Sequence, residues 1–286
     1  MRQEHCKCKR KRHTPRVGHK VMKQFAKLVS LTMQSALFYR AAFFFSMITP
    51  LILLGGQFML WHSLYANGGG AQIGSFAAKD MYAYVLISFF IGNLLTWSSE
   101  NTLSREIRKG TIVSRCLKPV SFLSQSLADM TGYVIPQVLI NGTVVAAALS
   151  LFPQSFALPD AVSLPAALCS LILSVLLRMM MVSCFSLLCF FTTSHHGLSW
   201  IRTALMEFFS GALIPVALFP GWLKTIAWLT PFPLMVQAPV ALMLDQPLPM
   251  PVWISLLLQF FWIVLFYYAH QAMYEKVRRT VSFAGG

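Results

Sequence analysis

The chain has 286 residues, of which 56% are hydrophobic and only 11% are charged. This balance excludes a water-soluble globular protein, because the surface of such a protein needs far more charge. The formal net charge of +14 does not indicate nucleic-acid binding either, since 11 of the 23 Lys and Arg residues lie within residues 1–40, beside the first apolar run, where anionic lipid headgroups are the favoured partner.

The N-terminal arm is predicted to be cytoplasmic. Residues 1–19 are basic and are expected to be a disordered tail; their Cys and His spacing fits no closed zinc site, so no metal is predicted. In residues 20–29, apolar residues recur at helical spacing and lysines occupy another face. This pattern indicates either an amphipathic helix lying on the membrane or an extension of the first span into the cytosol.

Six membrane-spanning helices are predicted from apolar length and charged boundaries, at residues 38–63, 81–99, 126–152, 164–193, 199–218 and 250–274. Six crossings place both termini on one side, and that side then carries 20 of the 23 Lys and Arg residues. Because basic residues are retained in the cytoplasm, both termini are predicted to be cytoplasmic. The predicted fold is therefore an all-α integral membrane protein, with one transmembrane domain over residues 20–280 and a short tail at 281–286.

The segment before the last span is rich in proline. Eight of the 15 prolines fall between residues 215 and 251, which rules out a straight spanning helix there. Residues 225–244 are nevertheless uncharged. We therefore predict that residues 219–249 enter the outer half of the membrane as a re-entrant helical hairpin. A seventh crossing is disfavoured, because it would put the basic C-terminus outside.

Residues 101–125, ENTLSREIRKGTIVSRCLKPVSFLS, form the only sizeable polar loop between predicted spans. Leu103, Ile107 and Val113 can form a short apolar face surrounded by charged residues, and Gly110 offers a place for the backbone to turn. Such a helix could dock in a groove of a cytosolic partner. Its charge could equally serve membrane topology alone.

Two charged residues lie deep within predicted spans, Arg178 near the middle of the fourth and Glu207 about a third of the way into the fifth. An unpaired charge at such depth is costly, and adjacent spans joined by a short loop are antiparallel neighbours. We therefore predict a structural ion pair between them. A role in substrate binding or in a proton relay is the alternative.

Several catalytic signatures are missing from the sequence. It contains no phosphate-binding G-x-x-x-x-G-K-[ST] loop, no serine elbow and no H-E-x-x-H pair. His195 and His196 are adjacent and cannot easily face one metal on a helix. The chain is therefore not expected to be an enzyme by itself, or to bind a cofactor or a metal.

Two blocks of sequence carry further motifs. The first is SREIRKGTIVSRCLKPVSFL, which has an I-x-x-G core followed by K-P. The second is FFSGALIPVALFPGWLKTIAWLTPFPLMVQAPVALML, in which a small-residue turn precedes I-P, F-P and P-F. Together the two blocks resemble the permeases of type-2 ATP-binding-cassette (ABC) exporters, and the similarity extends over roughly residues 20–280. The basic tail is not required by the pattern.

The resemblance implies a permease of six spans with an N-terminal interfacial helix and outer re-entrant helices. It implies partners as well: a second permease subunit, identical or homologous, and two separate cytosolic ATPase subunits that bind ATP and Mg. The residues expected to couple the permease to the ATPase are Arg105, Glu106, Ile107, Arg108, Lys109, Gly110, Lys118 and Pro119. The residues expected to form the re-entrant segment and outer gate are Gly211, Pro215, Pro220, Trp228, Pro231, Phe232 and Pro233. The expected location is a bacterial plasma membrane.

Three other classes of protein are alternatives to an ABC permease. An ion-driven secondary transporter should carry ion sites at the midplane, where acidic residues are nearly absent. A membrane-embedded enzyme needs a convergent set of catalytic groups inside the bundle, and Arg178 with Glu207 does not supply one. A membrane scaffold that transports nothing is compatible with the composition.

Overall fold

The computed structural model describes residues 16–38, 40–67, 72–74, 76–94, 99–109, 111–118, 120–151, 163–192 and 195–280. Most of the predicted N-terminal tail lies outside these residues, as do the 281–286 tail and two predicted coupling residues, Gly110 and Pro119.

Helices dominate the described part of the chain, as an all-α fold requires. They are α1 Arg16–Phe38, α2 Arg40–Asn67, α3 Ala78–Asn93, α4 Ser99–Arg108, α5 Ile112–Cys116, α6 Phe122–Leu151, α7 Leu164–Leu187, α8 His195–Phe209, α9 Gly221–Leu229, α10 Gln237–Met243 and α11 Val252–Thr280. Short 3-10 turns occur at Leu188–Phe190, Val216–Leu218 and Pro233–Met235. The strands β1 Gln72–Ile73 and β2 Phe76–Ala77 form a small antiparallel hairpin that leads into α3.

Three helices of the described residues are long and apolar enough to cross a membrane. They cover Phe122–Ala147, Leu164–Phe190 and Val252–Arg278, which match the third, fourth and sixth predicted spans. The helix α2 has 28 residues and lies where the first span is predicted. These helices confirm a helical membrane protein, whereas the six-span topology stays a prediction.

The helices at the second and fifth predicted spans are shorter than predicted. The helix α3 has 16 residues and ends at Asn93 instead of reaching residue 99, and α8 has 15 residues and ends at Phe209, well before residue 218. At 1.5 Å per residue both are roughly 25 Å long or less, below the ~30 Å of bilayer hydrocarbon. For α8 the cause is local: Gly211, with φ of 86°, turns the backbone before Pro215.

The core surrounds α7, which packs against α11 and α10, while α1 packs on α6 and α2 on α3. Buried residues of α7 recur every three or four positions, including Ser170, Ser174, Leu177 and Met181. Half of the apolar span of α7 is buried, compared with 11% of that of α11. Large apolar side chains on α11, such as Trp253, are exposed. This difference places α7 inside the bundle and leaves one face of α11 for lipid.

The proline-rich segment folds into short helices that end or turn at prolines, as its sequence indicates. Within it, α10 is almost completely buried, because it packs against α7 and α3. An apolar segment without charge tolerates such burial at little cost. Entry of this segment into the membrane from the outer side stays a prediction.

Candidate functional site

The loop that contains α4 and α5 is held together by one arginine. The Nε atom of Arg115, on α5, lies 2.9 Å from Oε2 of Glu106 on α4, and its Nη2 donates a 2.8 Å hydrogen bond to Oδ2 of Asp129 on α6. The three side chains are between 14% and 25% exposed. Charge-assisted bonds in this partly dry setting are stronger than surface ion pairs. They connect α4 and α5 to the apolar helix α6.

Two further contacts extend this connection. Thr32 of α1 donates to Oδ1 of Asp129 at 3.3 Å, so that α1 joins the same network. Gln125 of α6 donates to the carbonyl oxygens of Arg115, at 3.0 Å, and of Val120, at 2.9 Å. The loop is therefore anchored at several points rather than suspended between helices. We call the group formed by Thr32, Glu106, Arg115, Gln125 and Asp129 the loop anchor.

An apolar cluster lies beneath α4. Leu103, Ile112, Phe122 and Leu187 are buried together, and Ile107 packs against them. Leu103 and Ile107 of the predicted apolar face thus pack inside the chain, against the end of α7 and the start of α6. The burial of these side chains fixes which face of α4 turns outward. The side chain of Val113, the third predicted residue, lies outside the described part of the structure.

The predicted coupling residues separate into two groups in the structure. Glu106 and Ile107 face inward, into the loop anchor and the apolar cluster respectively. The outward group is basic and exposed: Arg105, Arg108, Lys109 and Lys118. Beside Lys118, the side chain of Leu117 is 79% exposed. We call these five outward residues the basic face.

Sequence reasoning missed Arg115 and Asp129 as functional residues. They are 14 positions apart and lie on different helices, so no local spacing rule connects them. The only signal in the sequence was an acidic residue at the start of an apolar span. Such a residue needs a nearby cation.

A cavity of about 420 Å³ opens between α2, α3, α7 and α8. This volume lies within the ~300–1,000 Å³ range of small-molecule sites. Its lining is mixed. Polar residues in it are Gln57, Ser88, Asn93, Arg178, Arg202, Thr203, Glu207 and Ser210, and the apolar ones include Leu53, Leu54, Phe89, Met206, Leu213 and Val236. Both charged residues of the predicted intramembrane pair therefore line the same space.

Arg178 and Glu207 do not form the predicted ion pair. The Nη1 atom of Arg178 instead donates to the carbonyl oxygens of Gly92, at 2.8 Å, and of Ile91, at 3.4 Å. These carbonyls lie in the last turn of α3, where helix geometry leaves carbonyl groups unpaired and the helix dipole attracts a cation. Arg178 thus caps α3, and among the described ion pairs none joins it to Glu207.

Tyr84, on α3, holds the turn that follows the last residue of α8. Its hydroxyl oxygen lies 2.6 Å from the carbonyl oxygen of Gly211 and 2.5 Å from Oε1 of Gln237, on α10. The same Oε1 accepts a 3.2 Å hydrogen bond from the backbone N–H of Val216. A Cβ atom on Gly211 would lie only 2.6 Å from Oε1 of Gln237. Only glycine fits here, with its positive φ and this close approach.

The remaining predicted gate residues lie in the same segment. Pro215, Pro231 and Pro233 are buried, Trp228 and Phe232 are half-buried, and Pro220 is exposed at the start of α9. Gln259 of α11 anchors the segment from the opposite side, since its Nε2 donates to the carbonyl oxygen of Leu234 at 2.8 Å and to Oγ of Ser170 at 3.0 Å. Sequence reasoning missed Tyr84, Gln237 and Gln259, whose polarity in apolar runs was the available signal.

Comparison with known proteins gives one result. The sequence model of the family described as ABC-2 family transporter protein matches residues 51–285. This range contains the loop, the proline-rich segment and every residue that lines the cavity except Pro50. No curated protein matches the chain.

Proposed function

Since this chain belongs to the ABC-2 transporter family, and is therefore a membrane permease of an ABC transporter, we propose that it exports its cargo with energy from ATP that separate cytosolic subunits hydrolyse. Membership in the family implies association with ABC ATPase subunits and a transport role rather than catalysis. Export, the arrangement of the subunits and the coupling to ATP are the parts that we propose.

The observation that carries the proposal is the loop anchor beneath the basic face. A loop that transmits force must be rigid and must be attached to a helix that crosses the membrane. Arg115 supplies both properties, because it joins α4 and α5 to α6 through Glu106 and Asp129. A partner that pushes on the basic face would move α6 and, through Thr32, α1.

The basic face is suited to an acidic groove on the ATPase. Arg105, Arg108 and Lys109 extend outward from α4, and the exposed side chain of Leu117 offers an apolar contact at its edge. A helix that presents charges around an apolar anchor is a common docking element. In this arrangement Gly110 and Pro119 belong to the same docking loop.

The complete exporter would contain two such permeases, identical or homologous, and two ATPase subunits. ATP and Mg would bind to the ATPase chains, and both termini of this chain would lie in the cytoplasm of a bacterial plasma membrane. Closure of the ATPases on ATP would move the two loop anchors toward each other. The cavity between α2, α3, α7 and α8 would then form part of the cargo pathway.

The outer gate would be the proline-rich segment. Its contacts with α3 through Tyr84 and with α11 through Gln259 mean that it cannot move independently of those helices. A shift of α3 relative to α7 would therefore be transmitted to the segment that closes the outer end of the pathway.

The experiment that tests this function is affinity purification of the chain from mild detergent, followed by identification of co-purifying proteins and an assay of ATP hydrolysis. We expect a stoichiometric partner with a phosphate-binding loop and hydrolysis that vanadate inhibits. The matched control is the same preparation from a chain in which Arg105, Arg108 and Lys109 are replaced by Ala. A wild-type preparation without any such partner, at full expression, would contradict the proposal.

A further inference from the structure

A second cavity, of about 590 Å³, lies between the start of α3, the helix α9 and the loop that follows α10. Its volume also falls within the ~300–1,000 Å³ range of small-molecule sites. The apolar part of its wall includes Phe76, Trp228 and Leu248. Its charged lining residues are of both signs: Lys79, Asp80, Lys224 and Asp245. A wall of this composition suits a ligand that has charged and apolar parts.

The charges of Lys79, Asp80 and Lys224 are available to a ligand, because none of them belongs to an ion pair among the described residues. Lys79 and Asp80 are consecutive in the first turn of α3, where neighbouring side chains point about 100° apart and do not face each other. Lys224 is contributed by α9. The cavity therefore presents ammonium donors from two elements, and a carboxylate acceptor beside one of them. An ammonium group binds the phosphate of a ligand, and a carboxylate binds a cationic group.

The helix α9 has two different faces. Trp222, Ile226 and Leu229 recur at helical spacing, and all three side chains are exposed. Lys224 and Trp228 are four positions apart on the opposite face, where both are half-buried and line the cavity. The helix thus places an apolar surface beside a charged cavity. This is the arrangement of a helix at a membrane interface, whose apolar face contacts acyl chains while its other face contacts polar groups.

We propose that this second cavity binds the headgroup of a phospholipid that carries both a phosphate and a primary ammonium group. Lys79 and Lys224 bind the phosphate, Asp80 accepts hydrogen bonds from the ammonium, and the acyl chains lie along the apolar face of α9. A headgroup without the ammonium would leave Asp80 facing a like charge, and a headgroup without chains would leave the α9 face uncovered. A bound lipid would link α9 to the start of α3. The proposal rests on the predicted entry of the proline-rich segment into the outer half of the membrane, and not on coupling to ATP.

Native mass spectrometry of the purified, delipidated chain, released from detergent micelles, measures lipid binding directly. The probes are dioleoylphosphatidylethanolamine, dioleoylphosphatidylglycerol and free phosphoethanolamine, which separate the zwitterionic lipid from an anionic lipid with the same chains and from its headgroup alone. We expect the ethanolamine lipid to bind about fivefold more tightly than the glycerol lipid, and equimolar phosphoethanolamine not to displace it. Equal affinity for the two lipids would overturn the recognition of both charges. Displacement by phosphoethanolamine would overturn the lipid as the ligand.

Two variants separate the roles of the opposite charges. Asp80→Asn removes the acceptor for the ammonium, so the ethanolamine lipid should bind about fivefold more weakly while binding of the glycerol lipid does not weaken. Lys224→Gln removes a donor to the phosphate, which both lipids carry, so it should weaken the binding of both to a similar extent. Equal loss of both lipids in Asp80→Asn, or loss of the ethanolamine lipid alone in Lys224→Gln, would overturn the assigned roles.

Glu275→Gln is the matched control for Asp80→Asn. It removes one exposed carboxylate near the far end of α11, roughly 35 Å along the helix from its start, and should leave the binding of both lipids unchanged. If it weakens binding of the ethanolamine lipid as much as Asp80→Asn does, the effect is one of net charge and the site is overturned. None of these measurements involves an ATPase, so their outcome is separate from that of the co-purification experiment.

Discussion

Arg115 and Asp129 form a 2.8 Å ion pair that joins α5 of the polar loop to the apolar helix α6. The two residues are 14 positions apart, and their side chains are 14% and 23% exposed. This pair connects the loop directly to an apolar helix of the bundle, which is the mechanical requirement of the proposed coupling.

Loss of this ion pair should loosen the loop. In Asp129→Asn the guanidinium of Arg115 keeps Glu106 but loses its second carboxylate, and we expect a loss of about 1–2 kcal/mol in the free energy of unfolding. This loss is measured by thermal unfolding of the detergent-solubilised chain. Glu275→Gln is the matched control, because its partner Arg278 is exposed and 3.9 Å away, and surface pairs contribute little. An equal effect of the two variants would show that the loop anchor has no special role.

The basic face should be needed for association and not for folding. Replacing Arg105, Arg108 and Lys109 together with Ala removes three exposed charges from α4, so we expect an unchanged melting temperature and a severalfold loss of co-purified ATPase. In wild type, the same association should weaken as salt is raised, because exposed charges are screened. Glu106→Ala offers a contrast, because Glu106 faces inward and its loss should lower the melting temperature. Full ATPase recovery with the triple variant would contradict the docking role.

Gly211 should tolerate no side chain. Gly211→Ala forces a Cβ atom onto a residue with φ of 86° and toward the Tyr84 hydroxyl at 2.8 Å, so we expect about 1–3 kcal/mol of destabilisation. Gly142→Ala in α6 is the control, because nothing lies within 4 Å of its Cβ position and the helix favours Ala by about 0.5–1 kcal/mol. The measurement is the shift in melting temperature. If both alanine variants raise the melting temperature, the proposed role of Gly211 in the turn is wrong.

Arg178 and Glu207 should behave as independent residues in a double-mutant cycle. Arg178→Gln removes the cap of α3 and should cost about 1–3 kcal/mol, while Glu207→Gln should cost little because its side chain is exposed. With no direct contact, their interaction free energy should be below about 0.5 kcal/mol. If Glu207→Gln rescues Arg178→Gln by more than about 1 kcal/mol, the two residues form the ion pair that the sequence predicted.

The sequence predicted the long elements well and the short ones poorly. The third, fourth and sixth spans agree with long helices of the structure to within a few residues, because uninterrupted apolar runs permit little else. The predicted fifth span ran to residue 218, whereas α8 ends at Phe209. Apolar character continues through the turn at Gly211, and hydropathy alone cannot distinguish a helix from a buried turn.

For the candidate site, the sequence identified some of the residues but not their partners. Arg178 and Glu207 were recognised as costly charges within a membrane, and both line the cavity. The pairing predicted for them is wrong, because Arg178 reaches the last carbonyls of α3 instead. Arg115, Tyr84 and Gln259 were not predicted, since each bonds to groups distant in the sequence.

The sequence by itself determined that this protein belongs in a lipid bilayer and that its fold is helical. It also determined the basic polar loop and the broken proline-rich segment. Those properties are local, because hydropathy, charge and the geometry of proline act over a few residues. Only the tertiary structure decided which charges meet, since a side chain bonds to whatever donor or acceptor the packing of helices brings near it. That is why Arg178 caps α3 and Arg115 joins the loop to α6.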